Sequence, residues 1–261
     1  MKITIIGAGN MGGAIGMGLI NKGFNPSDIT MCDKSEEKLI PFSQKGTNVT
    51  SDAQDAIKNA DAVIIAVKPN MFETVLPELT GNKDAVFITI AAGVSIGFVK
   101  KYLGNIKVIR VMPNTPAMIG RGVTAICSQA PVEEDDLKLA QTVFDAVGDT
   151  VIISEEQMDA VVSLNGSSPA YVYMMIDAMV RFGIDNGIDR EQAVKLVCRS
   201  IAGAAEMALA SDEDPSVLTQ RVCSPGGTTI QAVNKLNEFK FEEGLYEAMK
   251  ACSNRSREMT K

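Results

Sequence analysis

The sequence predicts an α/β domain built on a parallel sheet, followed by an all-α domain. Three observations lead to this assignment: a glycine-rich turn directly after the first apolar run, an alternation of β-rich and helical stretches up to Ile153, and helical spacing alone beyond it. We therefore place one domain at residues 1–153 and a second at residues 154–261. No long flexible linker separates them, so the second domain is expected to begin directly with a helix.

Five apolar, β-branched runs predict the strands of the first domain. Each is bounded by glycine, proline or a turn signal. Continuous apolar strands with helices between them indicate a parallel sheet that is covered on both faces. The runs are Ile3–Ile6 and residues 28–32, 61–67, 85–90 and 107–112.

Two apolar faces with helical spacing characterise the second domain. Their apolar surface exceeds what two or three helices can bury alone, so we expect this domain to pair with a second copy of the chain. One face contains Met174, Met175, Ala178, Met179 and Phe182, and the other contains Ala193, Val197, Ile201, Ala204 and Ala205.

The composition of the chain bears on which macromolecules it binds and in which compartment it resides. The 261 residues carry 25 Lys and Arg against 32 Asp and Glu, a net charge of −7. This acidity argues against nucleic acid, whose phosphates need a basic face, and against an anionic membrane surface. We find no apolar stretch of about 20 residues, as a membrane helix needs, and no secretory leader. Five cysteines without a Cys-x-x-Cys pair favour free thiols in the cytoplasm.

The sequence contains no histidine. This excludes a Ser-His-Asp triad, a histidine general acid and a histidine metal ligand, and no bound metal is expected. Any catalysis must therefore proceed without the side chain that is best suited to proton transfer at neutral pH.

Gly7, Gly9 and Gly12 form a G-x-G-x-x-G turn between a predicted strand and a predicted helix. The first glycine permits the tight turn, the second lets the backbone approach a pyrophosphate, and the third allows close packing of helix on strand. Free amides at the start of the helix face the pyrophosphate. An acid, Asp33, follows about 20 residues later, at the end of the second run. This context predicts a Rossmann-like dinucleotide site that includes Gly7, Ala8, Gly9, Asn10, Met11 and Gly12.

The coenzyme that this site prefers stays open at Asp33. Its carboxylate suits the ribose 2′-hydroxyl of NAD, whereas Lys34 and Ser35 suit the 2′-phosphate of NADP. In a third interpretation, Ser35 is only the N-cap of the next helix and the carboxylate turns outward. NADPH is the coenzyme we expect, with NADH as the alternative.

Three further loops are expected at the carboxyl ends of the strands, where doubly wound sheets bind their ligands. The position of Lys68 in the first loop favours a ligand contact only modestly over the role of an ordinary solvated lysine. Two prolines on either side of Asn114 favour a cofactor or substrate wall over a simple strand end. The candidate cofactor residues are Ala66, Val67, Lys68 and Pro69 in the first loop, Ala91 and Ala92 in the second, and Asn114 in the third.

Residues 224–229, Ser-Pro-Gly-Gly-Thr-Thr, form the densest motif of the second half. They lie between helical stretches at residues 215–222 and 230–236, so they build a helix N-terminus rich in amides and hydroxyls. Such a terminus is a receptor for a carboxylate. It is equally typical of a capped turn between helices, and physical reasoning alone leaves both open.

Together these segments resemble pyrroline-5-carboxylate reductases over nearly the whole chain. The resemblance is most specific at residues 224–229 with the upstream Pro215 and Leu218. It also includes residues 6–12, 66–69, 91–96, 110–116 and 166–171.

This resemblance implies reduction of L-1-pyrroline-5-carboxylate to L-proline by NADPH or NADH, in the last step of proline biosynthesis. It implies helical domains that interlock as homodimers, sometimes assembled into larger oligomers. Residues 6–11, 66–69 and 91–92 match cofactor positions. The substrate positions are Glu155, Ser224, Gly227, Thr228 and Thr229, of which Thr229 matches a threonine that hydrogen-bonds the ring nitrogen. Where the family often has Ser-Gly-Pro, this chain has Ser167, Ser168 and Pro169.

Three other functions are alternatives to this one. A β-hydroxyacid dehydrogenase needs a base, usually a lysine on the helix that opens its second domain, and residues 165–173 contain none. A reductase of another cyclic imine would use the same site. A non-catalytic dinucleotide sensor is disfavoured by the intact motif at residues 224–229.

Overall fold

The computed structural model describes residues 1–260 and divides into two compact units. The sheet unit contains residues 1–169 and 250–260, and the helical unit contains residues 170–249. The division thus falls later than the predicted boundary after Ile153. Asn165 explains part of this, since its side chain donates to the carbonyl oxygens of Met112 and Val123.

One sheet organises the sheet unit. In the described part of the chain it has eight strands in the order β3-β2-β1-β4-β5-β6-β7-β8, and all neighbours are parallel except β6 and β7. The strands are β1 Ile3–Ile6, β2 Ile29–Cys32, β3 Asn48–Thr50, β4 Ala62–Ile65, β5 Val86–Thr89, β6 Val108–Met112, β7 Gly122–Ser128 and β8 Gly148–Ile152.

The five predicted runs are confirmed as β1, β2, β4, β5 and β6, whereas β3, β7 and β8 were not predicted. The predicted strands pair in parallel, as expected, whereas the unpredicted β7 pairs antiparallel with β6. Residues 113–121 separate it from β6, and a parallel crossover needs a dozen or more residues. The strand therefore turns back and pairs antiparallel.

Helices cover both faces of the sheet, as predicted. On one face Ile5, Ile64 and Ile88 pack with α1, α2 and α6, and on the other Ile65 and Phe87 pack with α3, α4, α5 and α7. The helices are α1 Asn10–Asn21, α2 Glu36–Ser43, α3 Ala53–Ile57, α4 Phe72–Val75, α5 Ile96–Leu103, α6 Glu134–Phe144 and α7 Met158–Val161.

Helices alone form the helical unit, as predicted. They are α8 Ser168–Asp185, α9 Arg190–Ala210, α10 Pro215–Val222, α11 Thr228–Glu238 and α12 Phe241–Met259, whose first and last residues belong to different units. No helix within residues 1–260 is long and apolar enough to cross a membrane.

The helical unit has a small core of its own. Val180, Ala193 and Val197 are buried, with Ile176 and Ile201 packed against them. The predicted face of α8 is largely exposed: 74% of Met174 and 69% of Phe182 remain accessible. These large apolar side chains of α8 are therefore uncovered in a single chain.

Candidate active site

The glycine-rich turn joins β1 to α1 and packs on the end of β4. Gly7 has φ +105°, and a Cβ there would lie 2.7 Å from the carbonyl oxygen of Ala66. At Gly12 a Cβ would lie 2.0 Å from the carbonyl oxygen of Gly7. Both positions therefore need glycine for packing within the chain.

Gly9 differs, because a Cβ there would have no neighbour within 4 Å. It is the N-cap residue of α1 and has no side chain to cap the helix. The open space above Gly9 and the amides that follow it suit a pyrophosphate group.

A cavity of about 320 Å³ lies beside this turn. Its size falls in the range of small-molecule sites. Ala8, Gly9 and Asn10 were predicted as cofactor residues, whereas Lys38 and Met118 were not. Lys38 follows Ser35 by less than one helical turn, and this was the signal available in the sequence. The cavity is lined by Ala8, Gly9, Asn10, Gly13, Ala14, Lys38 and Met118.

Asp33 points into the fold, so the interpretation that it turns outward is wrong. Its carboxylate accepts hydrogen bonds from the backbone amides of Ala8 at 2.8 Å and Ser35 at 2.9 Å, and Lys38 Nζ lies 3.4 Å from it. Burial raises the pKa of Asp33, but these amides and Lys38 outweigh it and lower the pKa below its ordinary value. Asp33 therefore fixes the glycine-rich turn to the start of α2.

Lys34 and Ser35, which follow Asp33 in the sequence, make different contacts. Lys34 Nζ donates to the carbonyl oxygen of Ser51 at 3.1 Å and lies 3.6 Å from a carboxylate oxygen of Glu78. Ser35 is the N-cap residue of α2, as one of the three interpretations predicted, but its side chain makes no capping hydrogen bond.

The loops after β4 and β5 lie at the same edge of the sheet as the glycine-rich turn. Ala66 donates its amide to the carbonyl oxygen of Ile6 at 2.8 Å, and Lys68, next to Val67 and Pro69, is exposed. Ala91 is buried, and the neighbouring Ala92 is half-buried.

The end of α12 packs behind the second loop. Gly93 has φ +71°, and its Cβ would lie 3.1 Å from the carbonyl oxygen of Met259 at the end of α12. Ser256 Oγ on the same helix donates to Asp159 at 2.6 Å. The last turns of α12 therefore support the loop that follows β5.

Asn114 is buried in an amide network. Its Oδ1 accepts from the amide of Val123 at 3.1 Å, and its Nδ2 donates to Asn165 Oδ1 at 2.8 Å. Asn165 in turn donates to Met112 and Val123. The side chain of Asn114 thus holds the loop after β6, and its predicted contact with a coenzyme stays a prediction.

Glu155 connects three segments of the sheet unit. Its Oε1 accepts from the amide of Ile96 at 2.9 Å and lies 3.5 Å from Arg110 Nη1, and its Oε2 accepts from Gln129 at 2.7 Å. The Arg110 side chain is 2% exposed, so this ion pair is buried. Glu155 anchors the start of α5, and its predicted contact with a substrate stays a prediction.

Two cysteines lie near these segments. Burial raises the pKa of Cys32 to about 11 and that of Cys127 to about 12. Both are therefore neutral thiols at physiological pH and are unsuited to nucleophilic chemistry.

Within the helical unit, residues 223–227 join α10 to α11. The amide of Gly227 donates to the carbonyl oxygen of Ser224 at 3.0 Å, and Gly226 has φ +71°. Gly227 is the N-cap residue of α11 and offers no side-chain cap. Thr228 is exposed and Thr229 half-buried. The loop thus leads into a helix whose N-cap residue offers no side chain, with hydroxyls beside it. Its role as a carboxylate receptor stays a prediction.

Comparisons with known proteins cover the whole chain. Residues 155–259 match the family model for pyrroline-5-carboxylate reductase dimerisation. Residues 2–93 match a model described as NADP oxidoreductase, coenzyme F420-dependent. The chain is 40% identical to the pyrroline-5-carboxylate reductase of Escherichia coli (strain K12), with 100% of this chain and 98% of that protein covered.

Solved structures agree with the fold and the coenzyme class. A pyrroline-5-carboxylate reductase from Coxiella burnetii matches with a TM-score of 0.93 and 35% identity, over 100% of this chain and 98% of that one. A pyrroline carboxylate reductase from Plasmodium falciparum, solved with NADP bound, matches with a TM-score of 0.90 and 28% identity over the same shares.

Proposed function

The chain belongs to the pyrroline-5-carboxylate reductase family, and we propose on that premise that it reduces L-1-pyrroline-5-carboxylate to L-proline with NADPH or NADH. This is the final step of proline biosynthesis. The observation that carries the proposal is full-length similarity to these reductases, together with an uncapped helix N-terminus at residues 224–229.

The residues of the sheet unit fit a dinucleotide. A Cβ at Gly9 would occupy open space above the start of α1, and the adjoining cavity measures about 320 Å³. We assign the pyrophosphate to the backbone of residues 7–11, and the remaining cofactor contacts to residues 66–69 and 91–92. The bound coenzyme supplies a hydride from C4 of its nicotinamide.

The loop between α10 and α11 fits the substrate. A carboxylate is stabilised by the amides at the N-terminus of α11 and by the hydroxyls of Ser224 and Thr228. Thr229 is the catalytic residue of this proposal, because its hydroxyl hydrogen-bonds the ring nitrogen and orients the imine. A cyclic imine is able to take its proton from water, so the absence of histidine is no obstacle.

A homodimer follows from the helical unit. Its own core contains three buried residues, while large apolar side chains such as Met174, Phe182 and Met207 are more than half exposed. Exposed apolar surface on this scale marks a protein interface, and the matching family model is a dimerisation model. A monomer at micromolar concentration in light scattering would contradict the dimer.

The reducing cytoplasm is the proposed location. All five cysteines are free thiols in the described chain, and free thiols persist in reducing compartments.

The test is oxidation of NADPH, followed by absorbance, in the presence of L-1-pyrroline-5-carboxylate. We expect Thr229→Ala to lower kcat at least tenfold, about 1.4 kcal/mol of transition-state stabilisation, and to leave the KM for NADPH unchanged. Thr142→Ala is the matched control, because this threonine is exposed on α6 and its hydroxyl bonds to the carbonyl oxygen of Lys138.

An unchanged kcat in Thr229→Ala would remove this residue from the mechanism. Turnover of a six-membered cyclic imine, but not of pyrroline-5-carboxylate, would identify a different imine reductase. NADPH binding without any imine turnover would favour the sensor.

A further inference from the structure

Lys38 is the cation at the coenzyme cavity. It lies on the first turn of α2, and its Nζ is 3.4 Å from each carboxylate oxygen of Asp33. Its side chain lines the cavity beside Gly9 and Asn10 and is 51% exposed. Lys38 is therefore held at the cavity by Asp33, yet its amine is accessible to a ligand.

The position of Asp33 identifies the part of a dinucleotide that would meet Lys38. An acid at the end of the second strand of such a sheet lies at the adenosine ribose. Lys34 does not line this cavity; its amine bonds to the carbonyl oxygen of Ser51 and lies 3.6 Å from a carboxylate oxygen of Glu78.

We infer that Lys38 binds the 2′-phosphate of NADPH and determines the preference of this chain for NADPH over NADH. The inference rests on the proposed coenzyme binding and adds the residue that recognises the 2′-phosphate on the adenosine ribose. Without Lys38, the 2′-phosphate dianion would lie beside the carboxylate of Asp33 with no positive charge between them. The two negative groups would repel each other and weaken NADPH binding. The neutral ribose of NADH meets no such repulsion.

The test measures binding of each coenzyme by its own fluorescence, without imine substrate, in a protein that has no tryptophan. We expect Lys38→Gln to raise the Kd for NADPH at least tenfold and the Kd for NADH less than twofold. Lys45→Gln is the matched control, because this lysine is exposed just beyond the end of α2 and does not line the cavity; it should change both values less than twofold. Lys38→Arg should keep the preference for NADPH.

A second measurement uses the unmodified protein. We expect 2′,5′-ADP to displace NADPH at least tenfold more effectively than 5′-ADP, and Lys38→Gln to abolish this difference. Equal competition by the two nucleotides in the unmodified protein would overturn the inference, as would equal weakening of NADPH and NADH by Lys38→Gln. Selective binding without turnover of pyrroline-5-carboxylate would count against the proposed reaction alone.

Discussion

Two glycines of the same turn should fail in different ways when they are changed to alanine. At Gly12 the added Cβ would lie 2.0 Å from the carbonyl oxygen of Gly7 and 3.0 Å from Ala66 Cβ. The first contact is with backbone, which cannot rotate away as a side chain can. At Gly9 the added Cβ would have no neighbour within 4 Å, and its φ of −74° is open to any residue.

The geometry sets the magnitudes. Overpacking costs about 1–3 kcal/mol, and we expect Gly12→Ala to reach the upper end, because α1 must move away from β1. A loss of about 3 kcal/mol lowers the Tm by about 6–12 °C in a domain of this size. Gly9→Ala should keep its stability within about 1 kcal/mol, yet raise the Kd for NADPH at least tenfold by occupying the pyrophosphate site.

Thermal unfolding by circular dichroism without coenzyme, and fluorescence titration with NADPH, separate the two effects. Gly12→Ala should show the lower Tm, and Gly9→Ala should melt with the unmodified protein but bind NADPH poorly. A Gly12→Ala variant with an unchanged Tm would refute the packing argument. Tight NADPH binding by Gly9→Ala would refute the placement of the pyrophosphate.

Two further predictions concern buried groups. Asn165→Ala removes hydrogen-bond partners from Asn114 and from the carbonyl oxygens of Met112 and Val123. Each buried group left unpaired costs about 1–3 kcal/mol, so urea denaturation should show that the free energy of unfolding falls by at least about 3 kcal/mol. The control Asn186→Ala, at an exposed site on the helical unit, should change stability little. Cys32 and Cys127 should resist a thiol reagent at pH 7 in the native protein and react after unfolding in urea; rapid native labelling at either site would contradict their burial.

The sequence was most informative where a strand is buried on both faces. The runs that form β1, β4 and β5 are continuously apolar because helices cover both faces of the sheet there. β3 and β8 lie at the two edges of the sheet and are largely exposed, so neither forms a continuous buried apolar run. The direction of β7 depends on the length of its connection rather than on its composition.

In the candidate site, backbone requirements were predictable and side-chain partners were not. The glycine-rich turn follows from steric rules that each glycine satisfies by itself. By contrast, the role of Asp33 depends on where α2 begins and places Lys38. The roles of Asn114 and Glu155 depend on partners from other segments, Asn165 and Arg110 among them, which only the folded chain brings together.

The contact between Gly93 and Met259 has a consequence for folding during synthesis, because the two residues are far apart in the chain. All eight strands and the glycine-rich turn precede residue 153, but the turn of α12 that backs Gly93 is synthesised only after α8, α9, α10 and α11. A nascent chain stalled before residue 250 would hold a complete sheet whose β5 loop lacks this support and the hydrogen bond from Ser256 to Asp159. The support that α12 gives to the loop after β5 is therefore available only once the whole helical unit has been synthesised.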